Sequence, residues 1–376
     1  MELPRLDQAS HLSGKRVLVR VDFNVPVQNG FVTNDFRIKA ALPTITFLKK
    51  AGAKIILISH REGREGHDFL PVSEALRKYV EHVYHSTTDF AVIADHASKM
   101  KRGDVVLLTN LRYWGGEEMC TEQFGLDLSK LADVYVNEAF ASSHRRHASI
   151  VLLPKLLPSY IGFRFQEEIE NLSKIFTPEQ PFLFILGGAK FETKEPLIRK
   201  FLPKTSILFV CGALANDFLK VKGFETGRSF ISKDISRITE DIYNDPKIVL
   251  PSDVMVETVE KTLVVKKVTE ILKEDRVVDA GPETIQILKG YVDKAKYILW
   301  NGPLGIYEEG QVKQTEELAI VIAESRATST VGGGDTTASI QRFSLEDSFD
   351  FLSTAGGAML DFLVNETLPG IEAFQK

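Results

Sequence analysis

This chain of 376 residues has few cysteines, no long apolar run and little excess of one charge over the other. Its two cysteines, Cys120 and Cys211, have no partner motif, so neither disulfides nor a zinc site is expected. No apolar run approaches the roughly 20 residues that cross a bilayer. The net charge of −5 gives no reason to expect binding to nucleic acid or membranes. The start of the chain lacks a signal-peptide pattern, and we therefore expect a cytoplasmic protein.

The common nucleotide and hydrolase motifs are missing as well. The sequence has no P-loop, no dinucleotide or protein-kinase glycine loop, and no zinc-protease, C-x-x-C or serine-hydrolase motif. His144 and His147 have the spacing of metal ligands, but Arg145 and Arg146 between them would repel a cation. We therefore do not expect a metal at this position.

Residues that carry chemistry are unevenly divided along the chain. All eight histidines and 12 of the 18 arginines precede residue 166, whereas glycine runs at 187–188, 332–334 and 356–357 follow it. Arginine is a good fork for phosphate and carboxylate, and glycine turns suit nucleotide phosphates. This division predicts one domain for a small anion and another for a nucleotide.

Short β-rich apolar runs alternate with helical stretches in both halves. The predicted strands are 16–22, 54–59, 104–108, 134–136, 182–186, 207–210, 247–250, 261–265, 297–300 and 328–331. Helices are predicted at 35–51, 71–81 and 166–177. The alternation favours an α/β fold with two Rossmann-like three-layer domains, each with a parallel sheet between helices. Helix 166–177 would join domains 1–165 and 178–356; the alternative is a surface helix within one large domain.

Residues 331–340 read as a strand end, a glycine turn, the carboxylate Asp335 and a helix start. Such a turn lets a polyanion approach the backbone, and the helix start offers free N–H groups. A carboxylate there would repel phosphate unless a divalent cation lies between them. The segment therefore indicates a metal-nucleotide site, and the alternative is an ordinary strand-to-helix turn.

Arginines and a histidine follow strand ends in the first half, where open α/β sheets bind ligands. Each alone could be a solvated surface residue, but several at one sheet edge would form a basic bowl for a small, multiply charged anion.

Five segments together resemble the signatures of the phosphoglycerate kinase family. They are VRVDFNVP at 19–26, LGGAK at 186–190, LPSDV at 250–254, WNGPLG at 300–305 and GGGDT at 332–336. They occur in the family order and span nearly the whole chain. The resemblance implies a glycolytic and gluconeogenic phosphotransferase that reversibly moves a phosphoryl group from 1,3-bisphosphoglycerate to ADP, with Mg²⁺. It also implies a monomer whose partners are these small molecules.

The resemblance also implies roles for particular residues. The residues implied for 3-phosphoglycerate or its acyl phosphate are Arg20, Asp22, Asn24, Arg37, His60, Arg64, Arg112 and Arg145, with Arg20 in a supporting position. Those implied for the nucleotide are Lys190, Lys194, Gly212, Asn301, Glu308, Gly333, Gly334, Asp335 and Thr336. Among these, Glu308 would reach the ribose and Asp335 the Mg²⁺. The residues implied for catalysis are Arg37, Lys190, Gly356 and Gly357.

Phosphoryl transfer needs in-line placement and cancellation of charge on the equatorial oxygens. We expect Arg37 to clamp the transferring group, because a planar guanidinium can span two oxygens. Domains that each hold one substrate would have to close, which also excludes water. Helix 166–177 is the expected hinge, and residues 357–376 are expected to pack back toward the N-terminal domain.

Two departures from the family pattern leave questions open. Where the family has Ser-His-Leu-Gly-Arg-Pro, this chain has SHREGR at 59–64, so either Arg61 or Arg64 could supply the guanidinium. We favour Arg64 because it follows a glycine, as in the family. Residues 211–215 (CGALA) replace a triple glycine near the adenine, which leaves the preference among nucleoside diphosphates open.

Three hypotheses follow. The first, an active phosphoglycerate kinase, is favoured because the chemical residues are retained. The second is a catalytically silent relative kept as a nucleotide-binding module, which the altered nucleotide-side loops suggest. The third is a dinucleotide dehydrogenase, which the parallel-sheet pattern suggests and the missing glycine fingerprint argues against.

Overall fold

The computed structural model describes residues 3–62 and 69–375. Its chain divides into two compact units: the first contains the chain up to Glu170 and from Asn365 onward, and the second runs from Asn171 to Val364. The first change of unit falls within a helix at Phe163–Lys174, which begins three residues before the predicted 166–177. The second falls at the end of the helix Gly357–Asn365.

The first unit contains short strands and helices in alternation. Its strands are β1 (Arg16–Arg20), β2 (Val27–Gln28), β3 (Phe31–Val32), β4 (Lys54–Ile58), β5 (Val83–His85), β6 (Val105–Leu108), β7 (Val134–Asn137) and β8 (Ser159–Ile161). The helices are α1 (Phe36–Ala40), α2 (Leu42–Lys50), α3 (Leu70–Arg77), α4 (Phe90–Lys99), α5 (Gly115–Glu118), α6 (Glu122–Ser129), α7 (Ala148–Val151), α8 (Leu153–Leu156) and α9 (Phe163–Lys174). The 3₁₀ turns are Leu6–Gln8, Leu111–Tyr113 and Phe140–Ser142.

A parallel sheet in the order β5-β6-β4-β1-β7-β8 forms the centre of this unit. Successive side chains of a strand point to opposite faces, so a sheet covered on both sides needs apolar residues at every position. In β1, Val17 and Val19 join one apolar core, and Leu18 between them joins the other. Helices α2 and α3 contribute to the first core, and α4 and α6 contribute to the second. This is the predicted three-layer arrangement.

The predicted helix 35–51 is two helices, α1 and α2. Pro43 lies at the second position of α2 and has no N–H to donate to a carbonyl of the preceding turn. The N–H of Ala41 bonds instead to the carbonyl of Ile38, which ends α1. The single-helix prediction is therefore wrong at this proline.

The second unit follows the same α/β plan. Its strands are β9 (Phe182–Leu186), β10 (Ile207–Val210), β11 (Ile248–Val249), β12 (Asp253–Glu257), β13 (Leu263–Lys267), β14 (Arg276–Ala280), β15 (Tyr297–Asn301), β16 (Thr328–Gly332) and β17 (Phe351–Leu352). The helices are α10 (Phe191–Phe201), α11 (Gly212–Val221), α12 (Glu240–Tyr243), α13 (Pro282–Val292), α14 (Lys313–Ala323), α15 (Gly334–Arg342) and α16 (Gly357–Asn365), and α17 (Pro369–Glu372) follows in the first unit. The 3₁₀ turns are Ile235–Arg237, Val268–Glu270, Tyr307–Glu309 and Glu346–Ser348.

Its main sheet is parallel, in the order β11-β10-β9-β15-β16-β17, which confirms the prediction of a second Rossmann-like sheet. A separate antiparallel sheet has the order β13-β12-β14. The strand predicted at 261–265 is therefore β13 of this small sheet, where Leu263 is half exposed. In the part of the chain that the structure describes, no helix is both long and apolar enough to span a membrane.

Candidate active site

In the first unit, the residues expected to bind an anion follow the carboxyl ends of neighbouring parallel strands. Arg20 ends β1, His60 follows β4, Arg112 lies in the turn after β6 and Arg145 follows β7. These strands are adjacent in the sheet, so their carboxyl ends share one edge. The structure thus brings the four residues to the edge where ligands of open α/β sheets bind.

Arg20 is completely buried beneath this edge. Its Nε donates to Ser149 Oγ at 2.9 Å, and its Nη2 lies 3.0 Å from His60 Nδ1. Ser149 in turn donates from its backbone N–H and its hydroxyl to the carboxylate of Glu117. Burial raises the pKa of Glu117, which Arg20 partly opposes. A buried hydrogen-bond network of Arg20, Ser149 and Glu117 therefore positions the side chain of His60.

His60 is neutral in this setting and has a defined tautomer. Its pKa lies well below the ordinary value, first because the ring is buried and then because Arg20 adds positive charge nearby. Since a guanidinium can only donate, His60 Nδ1 must accept, and its Nε2 carries the proton. The same causes lower the pKa of His147 to about 4.

Arg37 is placed by a short polar cluster at the start of the chain. Its Nη1 lies 2.8 Å from Asp22 Oδ2 and donates to the backbone carbonyl of Asn24 at 3.1 Å. The N–H of Asn24 in turn donates to Asp22 Oδ1. Asp22 is nearly buried, so this ion pair orients the guanidinium of Arg37.

Glu62, which no sequence motif indicated, lies between Arg112 and Arg145. Its Oε1 accepts from Arg145 Nη1 at 2.5 Å and lies 3.4 Å from Arg112 Nη2. Arg112 also contacts Glu118 through Nη1. The hydrogen bond from Arg145 holds the pKa of Glu62 below its ordinary value.

Of the two candidates for the extra guanidinium, Arg64 lies outside the described residues. Arg61 is buried, and its backbone is tied to the loop after β6. The side-chain amide of Asn110 accepts from the N–H of Arg61 and donates to its carbonyl. The assignment to Arg64 stays a prediction.

In the second unit, several helices begin at the carboxyl edge of the parallel sheet. α10 follows β9, α11 follows β10, α15 follows β16 and α16 follows β17. The first N–H groups of a helix lack partners within it, and the helix dipole is positive there. This edge therefore presents a series of sites suited to phosphate oxygens.

The two lysines of this edge differ in burial. Lys190 is exposed and precedes α10 with a φ of +69°. Lys194, one turn into that helix, is 8% exposed and donates to Asn301 Oδ1 at 3.2 Å. Burial lowers the pKa of Lys194 to about 8.

The turn before α15 has the backbone conformation that its glycines were expected to allow. Gly333 has a φ of +108°, and a Cβ there would lie 3.3 Å from Thr336 Oγ1. A Cβ on Gly334 would meet open space within 4 Å. Thr336 is buried and its hydroxyl accepts from the N–H of Gly302, which ties this turn to the end of β15.

A cavity of about 480 Å³ lies against this edge, within the range of small-molecule sites. Its walls include Gly188, Gly212, Glu308 and Asp335 from the predicted segments. Burial raises the pKa of Asp335, and the nearby charge of Glu308 adds to the shift. The cavity thus contains glycine turns together with the carboxylates of Glu308 and Asp335.

The altered loop after β10 also borders the cavity. Cys211 is fully buried, so its side chain fills space behind the wall. Gly212 keeps a φ of +60°, and a Cβ there would approach Pro303 O to 2.9 Å. Ala213 lines the cavity itself, so at this position the departure from triple glycine adds a methyl group to the wall.

Gly356 and Gly357 stand at the start of α16. Gly356 has a φ of +54°, and Gly357 is exposed at the first position of the helix. α16 begins beside β16, because a Cβ on Gly332 would collide with the side chain of Met359. The starts of α15 and α16 are therefore neighbours on one edge.

For Mg²⁺, the donors available are few. Across residues 3–62 and 69–375, no group of three His, Cys, Asp or Glu side chains could hold a metal. Mg²⁺ is usually bound by one or two carboxylates together with substrate phosphates and water. Asp335, half buried on the cavity wall, fits that limited role.

Several wall residues belong to no sequence motif. They are Asn216, Arg228, Phe230, Arg276, Val278 and Asp279. Asp279 accepts hydrogen bonds from the N–H groups of Ala280 and Gln314, and burial raises its pKa to about 7. Arg276 is paired with Glu309. These residues come from segments far apart in the chain, so spacing in the sequence gives no signal for them.

Comparison with known proteins supplies independent information. A family model described as phosphoglycerate kinase matches residues 6–366. The phosphoglycerate kinase of Dictyoglomus turgidum is 40% identical, over 97% of this chain and 96% of its own. That of Aquifex aeolicus is 37% identical, over 95% of each chain. The crystal structure of phosphoglycerate kinase from Pyrococcus horikoshii OT3 matches with a TM-score of 0.85 at 31% identity, covering 99% of this chain and 98% of that chain.

Proposed function

The chain belongs to the phosphoglycerate kinase family, and from that premise we propose how its residues divide the work of the reaction. The enzyme is a phosphotransferase that reversibly moves a phosphoryl group from 1,3-bisphosphoglycerate to ADP, giving 3-phosphoglycerate and ATP. The first unit binds the phosphoglycerate and the second binds the nucleotide.

In the first unit, we assign substrate contact to Arg37, His60, Arg112 and Arg145, with Asp22 and Asn24 placing Arg37. The strand-end positions of the arginines support this, because a guanidinium binds phosphate or carboxylate through two parallel hydrogen bonds. His60 would donate from Nε2. Arg20 acts as a positioning residue, because its side chain is buried and contacts His60.

In the second unit, we assign the nucleotide to the cavity beside α10, α11 and α15. Lys190, Lys194 and the N–H groups of the 333–336 turn would hold the phosphates, with Asn301 orienting Lys194. Gly212 lets the base approach the wall, and Phe230 and Val278 offer it an apolar surface. Glu308 would accept from the ribose hydroxyls.

We assign Mg²⁺ to Asp335. When bound, the ion would neutralise charge on the nucleotide phosphates. The raised pKa of Asp335 supports this, because burial and then the charge of Glu308 disfavour its ionised form, and a nearby cation would offset both effects.

For the transfer step, we propose that Arg37 and Lys190 cancel charge on the phosphoryl group while the start of α16, at Gly356 and Gly357, receives its oxygens. Bringing the two substrates into line requires the two units to approach, with bending at α9. By family likeness we also propose a cytoplasmic monomer.

The single observation that carries the proposal is the presence of the nucleotide-sized cavity at the 333–336 turn of a chain matched by the family model over residues 6–366. The test is a coupled assay with 1,3-bisphosphoglycerate and ADP, GDP or UDP, with and without EDTA. We expect metal-dependent ATP formation. Nucleotide binding without turnover would instead indicate a silent relative.

A further inference from the structure

We propose that Glu62 is an internal anion that occupies the arginine cluster of the first unit and is displaced when 3-phosphoglycerate binds. The cluster consists of His60, Arg112 and Arg145. This inference rests on the proposed assignment of that cluster to the substrate. It identifies a residue that sets the affinity of the enzyme for its acidic substrate.

One oxygen of Glu62 lies where the cluster converges. Oε1 accepts from Arg145 Nη1 at 2.5 Å, lies 3.4 Å from Arg112 Nη2 and is 3.9 Å from His60 Nε2. The three groups belong to loops after three different strands, β7, β6 and β4. A point shared by two guanidinium groups and an imidazole is the position that an oxygen of phosphate or carboxylate would take.

The backbone holds Glu62 at this position. Its N–H donates to Asn24 Oδ1 at 3.0 Å. The residue before it, Arg61, is bonded in both directions to the side-chain amide of Asn110. The side chain of Glu62 is 46% exposed, so its carboxylate can rotate into water without breaking these backbone bonds. Glu62 is therefore anchored at the cluster and still free to leave it.

The negative charges of Glu62 and of the substrate make their occupation of the cluster mutually exclusive. His60 is neutral, so the cluster offers the charges of Arg112 and Arg145. Glu62 contacts both of these arginines, and Glu118 also contacts Arg112. A substrate phosphate or carboxylate that remained beside Glu62 would face a like charge at short range. The state that can bind 3-phosphoglycerate is the one in which the Glu62 carboxylate has turned away. The smaller the population of that state, the lower the apparent affinity for 3-phosphoglycerate.

The test compares 3-phosphoglycerate binding to the full chain and to Glu62→Gln by titration calorimetry. We expect Kd for 3-phosphoglycerate to fall about 2- to 5-fold in the variant, the fold-change that corresponds to the strength of a partly exposed ion pair. Kd for ADP should not change. Glu122→Gln, an exposed carboxylate on α6, controls for the general loss of one negative charge and should leave both values unchanged. Unchanged or weaker 3-phosphoglycerate binding by Glu62→Gln would overturn the inference.

Arg145→Gln separates this inference from the proposed function. If it weakens 3-phosphoglycerate binding while Glu62→Gln has no effect, the substrate site stands and the role of Glu62 is wrong. If Arg145→Gln changes nothing, the site assignment and the inference both fail. We also compare Arg145→Gln made in the Glu62→Gln variant with Arg145→Gln made in the unsubstituted chain. We expect the loss of 3-phosphoglycerate affinity to be larger in the Glu62→Gln variant, because Glu62 no longer competes for Arg145 there. Equal losses would contradict the competition.

Discussion

Lys194 Nζ donates to Asn301 Oδ1 at 3.2 Å from a position where the lysine is nearly buried. Burial lowers the pKa of Lys194 to about 8. A lysine assigned to the nucleotide phosphates therefore changes charge just above neutral pH. This gives the nucleotide site a pH dependence that an exposed lysine would not give.

We predict that nucleotide affinity declines as pH rises above 8. Below this value Lys194 is charged and attracts phosphate, and above it the free enzyme loses that charge. If binding requires the charged form, affinity falls up to about tenfold per pH unit. Titration calorimetry with ADP from pH 7 to pH 9.5 would measure this. Asp279, with a pKa of about 7, has already lost its proton over the upper part of this range.

Lys194→Gln is the control, and it should bind ADP weakly with little change above pH 8. The stability of the free chain should move in the opposite direction to affinity. Between pH 8 and 10.5 the unfolded state holds more protons at Lys194 than the folded state, so the free energy of unfolding rises with pH. Equal ADP affinity of the parent chain at pH 7 and pH 9.5 would remove Lys194 from the phosphate site.

A second prediction separates two adjacent glycines. Gly333→Ala should destabilise the chain by about 1–3 kcal/mol, because its φ of +108° is one that alanine rarely adopts. Gly334→Ala should leave stability nearly unchanged, because its added methyl group meets open space. If phosphate approaches this turn, that methyl group should still weaken ADP binding. Thermal melting and ADP titration of both variants measure the two effects. A Gly334→Ala variant with normal ADP affinity would indicate that phosphate does not approach this turn.

The parallel sheets could be predicted where strands have four or five residues and are mostly buried. β9 and β10 lie where the continuous apolar runs 182–186 and 207–210 place them. β8 and β17, of three and two residues, are too short for periodicity to reveal. β13 has an apolar run but belongs to a half-exposed antiparallel sheet, and sequence alone does not show which sheet a strand joins.

For the site, motif segments could be identified in the sequence and tertiary contacts could not. The 333–336 turn is local, so its glycines and Asp335 are recognisable from the chain itself. Asp279 enters the cavity wall from β14, and Glu117 meets Ser149 across 32 positions of sequence. Glu62 lies in a loop that departs from the family pattern, so neither periodicity nor motif indicated its contact with Arg145.

A third prediction concerns the buried carboxylate of the first unit. Glu117→Gln should lower the free energy of unfolding by about 1–3 kcal/mol, because it breaks hydrogen bonds to Ser149 in a buried network. Glu118→Gln, the next residue and half exposed, should change it by less than about 0.5 kcal/mol. Urea unfolding of both variants measures the difference, and equal effects would contradict a structural role for Glu117.

The pH dependence of the same pair provides a further check. The pKa of Glu117 is raised from 4.5 by burial, so above pH 4.5 the folded state holds more of its proton than the unfolded state does. Its contribution to stability therefore declines as pH rises through the raised pKa. Glu117→Gln should remove this part of the slope, and Glu118→Gln should retain it.

The last prediction concerns Arg37. Arg37→Ala should lower kcat by roughly 10³- to 10⁵-fold, the scale of an arginine that stabilises a transferring phosphoryl group. Kd for ADP should stay nearly unchanged, because the nucleotide is assigned to the other unit. The same change leaves Asp22 without its ion pair, so Arg37→Ala removes a structural contact together with the guanidinium. Arg37→Lys resolves this, since a lysine can retain the charge beside Asp22 but lacks the planar fork. We expect Arg37→Lys to melt like the parent chain and still lose most of its rate, whereas a near-normal rate in Arg37→Ala would exclude Arg37 from the transfer step.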